Sequence, residues 1–81
     1  MQFSYDPRYN IAYLRFQRRK AEVESIRVSD ELIVDMAPDG TVYGIELLNA
    51  NEQLTREESN ILEVFNEATG QRIEFPLTPG T

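Results

Sequence analysis

Residues 31–50, ELIVDMAPDGTVYGIELLNA, decide the fold. Leu32, Val34 and Met36 alternate with Ile33 and Asp35, the period-2 pattern of a strand with one buried face. Ala37-Pro38-Asp39-Gly40 follows. Pro38 pre-sets the φ of a type I corner, and Gly40 can take the positive φ that closes a hairpin. Residues 41–47 return, with Tyr43, Ile45 and Leu47 on one face and Val42, Gly44 and Glu46 on the other. A glycine inside a strand marks a bulge or a place where another group packs on bare backbone. At Gly44 packing is favoured over the close approach of a ligand.

Upstream, residues 2–5 predict a short strand with Phe3 and Tyr5 on one face. Asp6, Pro7 and Asn10 carry turn chemistry. Residues 11–16 are rich in β-branched and aromatic residues, and their cleaner face, Ala12, Leu14 and Phe16, is assigned to the core. Residues 17–21 are polar and basic and predict a hairpin loop. Residues 22–28 predict a third strand, with Ile26 and Val28 inward.

Downstream, residues 49–53 are polar and end the sheet. Thr55 and Glu58 have capping-box spacing, and Ile61, Leu62, Phe65 and Ala68 fall on one helical stripe. Together they predict a helix over 55–69, stopped by Gly70 in a left-handed cap. Residues 71–75 predict a short last strand ended by Pro76, and 78–81 a loose tail. The expected class is therefore α+β: an antiparallel β-meander of about five strands, with one C-terminal helix packed on the sheet and a short last strand. Residues 1–81 form a single domain, with the meander over 1–50 and a helical extension over 51–81.

Composition narrows the chemistry. The 81 residues contain neither cysteine nor histidine. That removes disulfides, thiolate metal sites, cysteine nucleophiles, and the commonest general base and metal ligand. No apolar run approaches the roughly 20 residues that cross a membrane, and no charged-then-apolar leader opens the chain. A cytoplasmic protein is expected. Nothing staples so small a core, so burial against a partner is one route to stability.

The net charge is −6, unevenly spread. Residues 1–27 hold six basic side chains against three acidic, and residues 28–81 hold two against eleven. Such a chain is a poor general binder of nucleic acid, whose phosphates it repels. The asymmetry fits solvated faces that aid solubility. The second reading, after that one, is two faces of opposite sign, suited to self-association or to a basic partner.

YDPRYNIAYLRF near the start and the 31–50 segment together carry a resemblance. Tyr5, Asp6, Ala12, Tyr13 and Leu14 match its first part. Val34, Asp35, Asp39, Gly40, Val42, Gly44, Ile45 and Glu46 match its second, a Gly-Ile-Glu hairpin. Over roughly residues 3–50 the chain resembles the bacterial domain of unknown function 2283 family. The acidic residue usual in the family's first turn is replaced around Tyr9-Asn10. The resemblance implies a bacterial cytosolic setting and a place beside small toxin-like proteins. It assigns no catalytic residue and no cofactor.

With neither His nor Cys, acid–base work falls to carboxylates. Asp6, Asp35 and Glu46 are the motif-matching candidates. Counting from the 38–39 turn sets Asp35 against residues 41–43 rather than beside Glu46, so no tight dyad is expected. The spacing of Asp35, Asp39 and Glu46 fits no Ca²⁺ loop, so no metal site is assigned. The four glycines form no phosphate loop. RFQRRK over 15–20 fits a solvated hairpin tip or a contact for phosphate or an acidic partner. Two function classes remain. The first is a homodimeric protein-interaction module, not an enzyme, with Glu57, Glu63 and Glu67 or Arg18, Arg19 and Lys20 as candidate contacts. The second is a small-molecule or divalent-metal-binding protein or enzyme using carboxylates around Gly44-Ile45-Glu46.

Overall fold

A computed structural model describes residues 1–18, 22–56 and 60–77. The elements are β1 (Gln2–Asp6), β2 (Ile11–Arg15), β3 (Glu24–Ser29), β4 (Leu32–Met36), β5 (Val42–Leu48), α1 (Ala50–Thr55), β6 (Ile61–Phe65) and β7 (Arg72–Pro76). β1 to β5 form one antiparallel sheet and β6–β7 a separate two-stranded sheet. The antiparallel, sheet-dominated class expected from alternation is present.

The 37–40 hairpin forms as its sequence dictates. Gly40 N donates to Ala37 O at 2.9 Å, Ala37 N donates to Thr41 O at 2.8 Å, and Gly40 sits at φ 90°. The Asp39 carboxylate accepts Thr41 N at 2.9 Å, locking the corner. Hydrogen bonds from Thr41 hold the Asp39 carboxyl below the usual carboxylate range.

The strand order is β1-β2-β5-β4-β3. β2 therefore pairs with β5, not with β3, so the expected β2–β3 hairpin does not form, and residues 19–21 of its expected loop lie outside the described residues. The pairings Phe3↔Leu14, Leu14↔Ile45, Ile45↔Val34 and Val34↔Ile26 run straight across the sheet and define one apolar face. Ala12, Leu32 and Leu47 share that face, in register with Tyr5. The inward assignments of Ala12, Leu14, Val34 and Ile45 hold, but those of Phe16, Ile26 and Val28 do not: Phe16 lies beyond the end of β2 and is 41% exposed, Ile26 is on the apolar face but on the uncovered edge strand at 41%, and a bulge between Arg27 and Ser29 sets Ser29 opposite Leu32 and leaves Val28 60% exposed.

The helix is displaced from its expected place. α1 covers residues 50–55, where the end of the sheet was expected, and is short rather than C-terminal. Thr55 stands at its end, not its start. Asn10 and Asn49 both adopt left-handed backbone, at φ 60° and 54°. The Asn10 carbonyl accepts Ala50 N at 3.1 Å, and its side-chain Oδ1 accepts Asn51 N at 2.7 Å. Two of the helix's orphan donors are thus met by the β1–β2 turn instead of by a capping box. Tyr5 Oη donates to Asn51 Oδ1 at 2.7 Å, and Gln53 Nε2 reaches Glu31 O and Leu48 O at 2.9 and 2.6 Å. These bonds pin α1 to one end of the sheet.

The expected helix over 55–69 is replaced over its later part by β6 and a turn, while residues 57–59 lie outside the described residues. β6 alternates Leu62 and Val64 against Ile61, Glu63 and Phe65, and pairs Leu62↔Phe75 and Val64↔Ile73 with β7. The last strand, expected over 71–75, is observed as β7. Gly70 does take positive φ, at 74°, and donates its N–H to Asn66 O at 2.8 Å. That local geometry suits a helix end and a hairpin loop equally, and here strands flank it. The tail at 78–81 also lies outside the described residues.

Candidate functional site

Two surfaces stand out. One face of the main sheet carries the motif residues. Tyr13 lies diagonally across from Gly44, because Arg15↔Gly44 and Tyr13↔Glu46 are the register pairs. The Tyr13 ring covers the bare Gly44 backbone so closely that a Cβ there would collide with the ring and its oxygen. The packing reading of Gly44 is correct, and the packing group is Tyr13. Its hydroxyl donates to Asp35 Oδ2 at 2.8 Å, and Ser25 Oγ donates to Asp35 Oδ1 at 2.7 Å. Burial first, then the hydrogen bond to Asp35 and the charges of Asp35 and Glu46, push the Tyr13 hydroxyl up to about 12, against a pull downward from Arg15.

Asp35 pairs in register with Gly44, one step beyond the 41–43 stretch expected for it, and Glu46 pairs with Ile33 and Tyr13. Asp35 and Glu46 are therefore diagonal neighbours on one face, with Tyr13 beside both. Asp6 is elsewhere: its carboxylate takes Arg8 Nε at 3.1 Å and Nη2 at 3.0 Å in the β1–β2 turn. The Arg8 hydrogen bonds hold the Asp6 carboxyl below the usual carboxylate range. The three motif carboxylates do not converge. Among the described residues no group of three or more Asp or Glu is placed to hold a metal ion. What Tyr13, Ser25, Asp35 and Gly44 accomplish together is a cross-strand clamp over β3, β4, β5 and β2. Tyr13 escaped notice in the sequence as Gly44's cover, because its pairing with β5 is not a local signal.

The candidate contact residues are scattered. Arg18 is exposed just beyond β2, while Arg19, Lys20 and Glu57 lie outside the described residues. Glu63 and Glu67 are exposed, but on the β6–β7 hairpin and its turn rather than on one face of a helix. Glu63 faces Glu74 directly across the hairpin, and Arg72 approaches Glu63 at 3.5 Å.

The second surface is apolar. The hairpin face made by Leu62, Val64, Ile73 and Phe75 is half-bare, with Val64 50% and Phe75 49% exposed. An open groove of about 560 Å³ separates it from the sheet, with Phe3, Tyr5 and Leu14 on the sheet side and Leu62, Val64 and Phe75 on the hairpin side. Of the described residues only Ala12 and Ala50 are fully enclosed hydrophobic residues, at 1% and 0% exposure. No helix among the described residues is long and apolar enough to cross a membrane.

A small antiparallel sheet, plugged at one end by a six-residue helix and clamped by a Tyr–Asp–Gly motif, defines the class of protein. Residues 2–51 match the family described as protein of unknown function (DUF2283), and the chain belongs to that family. The match spans β1 to β5 and the start of α1, and stops before the β6–β7 hairpin. Neither a curated protein nor a solved structure matches the chain.

Proposed function

We propose that this chain is a cytoplasmic protein-interaction module, self-associating and binding a basic protein through its acidic surface, rather than an enzyme. The observation that carries the reading is the apolar hairpin face, with Val64 50% and Phe75 49% exposed, open across a groove from Phe3, Tyr5 and Leu14 of the sheet. Apolar surface left open on this scale marks a site of association. The charge supports the nature of the second partner. Residues 28–81 hold eleven acidic side chains against two basic, and Glu63 and Glu67 project from the hairpin. Complementary charge speeds encounter and excludes acidic competitors. The interaction reading is preferred to the carboxylate-site alternative because the Asp35 carboxylate, the neighbour of Glu46, is already taken up by the Tyr13 and Ser25 hydroxyls.

The test is capture of the partner from the native cell by the tagged chain, followed by binding of the purified partner to two variants. Glu57, Glu63 and Glu67 replaced together by Gln should slow association several-fold and make it less salt-sensitive. Charge reversal at Arg18, Arg19 and Lys20 should do less. Loss of binding in the basic-loop variant alone would overturn the acidic-surface reading.

A further inference from the structure

We propose that α1 is a latch for the groove and that Tyr5 couples the two, so that the groove's walls face each other only while α1 is docked. The inference goes beyond the association reading above and needs no partner.

Tyr5 belongs to two structures at once. Its ring lines the groove on the sheet side, while its hydroxyl donates to Asn51 Oδ1 at 2.7 Å. Tyr5 stands on β1, an edge strand, so no further strand holds its outer side. Its register partner on β2 is Ala12, which is fully enclosed. The Asn51 amide is committed at both of its ends. Besides accepting from Tyr5, it donates from Nδ2 to Pro7 O at 3.1 Å. Both bonds lead from α1 back to β1 and the turn that follows it.

The other wall depends on α1 through the chain. The β6–β7 hairpin follows α1 in sequence and shares no strand pairing with the main sheet. Among the described residues its polar contacts stay inside it: Asn66 N with Gln71 O, Gly70 N with Asn66 O, Leu77 N with Asn60 O, and Arg72 with Glu63. Among those residues, then, no hydrogen bond or ion pair sets the hairpin's place over β1 and β2. The docked element that precedes it in the chain does.

α1 has two states open to it. Its six residues fall far short of the roughly 12–15 at which an isolated helix is even marginal in water. The helix therefore exists only while docked. Asn10 and Tyr5 hold its start, and Gln53 and the Arg56–Glu31 pair, at 3.1 Å, hold its end. Ala50, fully enclosed, gives the docked state its apolar contact. Release of α1 removes the bond that fixes the Tyr5 ring and the anchor of the hairpin in one step. Short segments tied by a few bonds open at the low-energy end of a fold's motions. By linkage, anything that seats only in the assembled groove also protects α1.

The test uses the full chain, which has no cysteine, so Ser4→Cys and Glu74→Cys together place two spin labels. Both sites are exposed and lie on the strand faces turned away from the groove. Excess unlabelled chain restricts the reading to label pairs within one molecule. Their distance distribution should be narrow. Tyr5→Phe keeps the ring and removes the hydroxyl. It should speed hydrogen exchange of residues 50–55 about fivefold, the fold-change of one lost hydrogen bond, and broaden the distribution. Asn51→Ala removes both side-chain bonds and should do more on both counts. Asp39→Ala loosens the tight turn at the other end of β5 and should leave both readouts unchanged. Faster exchange in α1 with an unchanged distribution would overturn the latch, and so would an equal broadening in Asp39→Ala. No change in either readout with Tyr5→Phe and Asn51→Ala would overturn it too. Each of these results leaves the basic-partner test standing.

Discussion

The ring of Tyr13 lies on the backbone of Gly44, two strands meeting where one side chain is missing and the other is large. Cover of this kind removes bare backbone from water and fixes the β2–β5 register. It also explains why a glycine stands in the middle of the longest strand.

Gly44→Ala should therefore destabilise the protein by about 1–3 kcal/mol, the cost of overpacking. For a chain of this size that lowers Tm by about 4–8 °C per kcal/mol. The same substitution in a Tyr13→Ala background should cost much less, because the collision is gone. Equal penalties in both backgrounds, measured by thermal melts, would remove Tyr13 as the packing partner.

Stability should fall on the alkaline side. The folded state raises the Tyr13 hydroxyl from 10.0 to about 12, so folding favours the neutral phenol. That contribution is complete below pH 10 and is lost as pH rises towards 12. Tyr13→Phe should flatten this limb of the stability–pH curve. Denaturant melts from pH 9 to 12 on both proteins check it.

Asn10 should matter through its side chain. Asn10→Gly keeps the left-handed backbone at φ 60° accessible but removes the acceptor for Asn51 N. A loss of about 1 kcal/mol is expected, in line with other helix-start acceptors. Hydrogen exchange should show faster opening of residues 50–55 than of β4 and β5. Unchanged protection in α1 would contradict the anchoring role.

The fold should hold without metal. Neither His nor Cys is available, and the motif carboxylates Asp6, Asp35 and Glu46 are engaged with Arg8, with Tyr13 and Ser25, or set apart on β5. Melts with and without EDTA should superimpose. A large drop in Tm with EDTA would reopen the carboxylate site.

Much of the sheet was legible because its signals are local. Alternation in 32–36 and 42–48, Pro38 and Gly40 at their corner, and Ala12 and Leu14 on one face each follow from period-2 geometry and turn stereochemistry. The bare backbone at Gly44 was visible too, though not its cover. Residues 61–70 show where local signals stop. Ile61, Leu62, Phe65 and Ala68 fit a helical stripe, but Val64 joins Leu62 in an equally good alternation. The Asn66–Gly70 bond closes a helix end and a hairpin loop alike.

The sequence by itself determined which segments of the main sheet extend, which face of β1, β2, β4 and β5 is apolar, where the tight hairpin turns, and that cysteine and histidine chemistry is absent. Only the tertiary structure decided that β2 pairs with β5, that residues 50–55 are helical, and that β6 pairs with β7. The physical reason is range. Strand alternation and turns are fixed by neighbours in the chain. The other choices depend on partners far along it: Asn10 supplying the acceptors for α1, Ile73 and Phe75 supplying the face for Leu62 and Val64, and Gly44 leaving room for the ring of Tyr13.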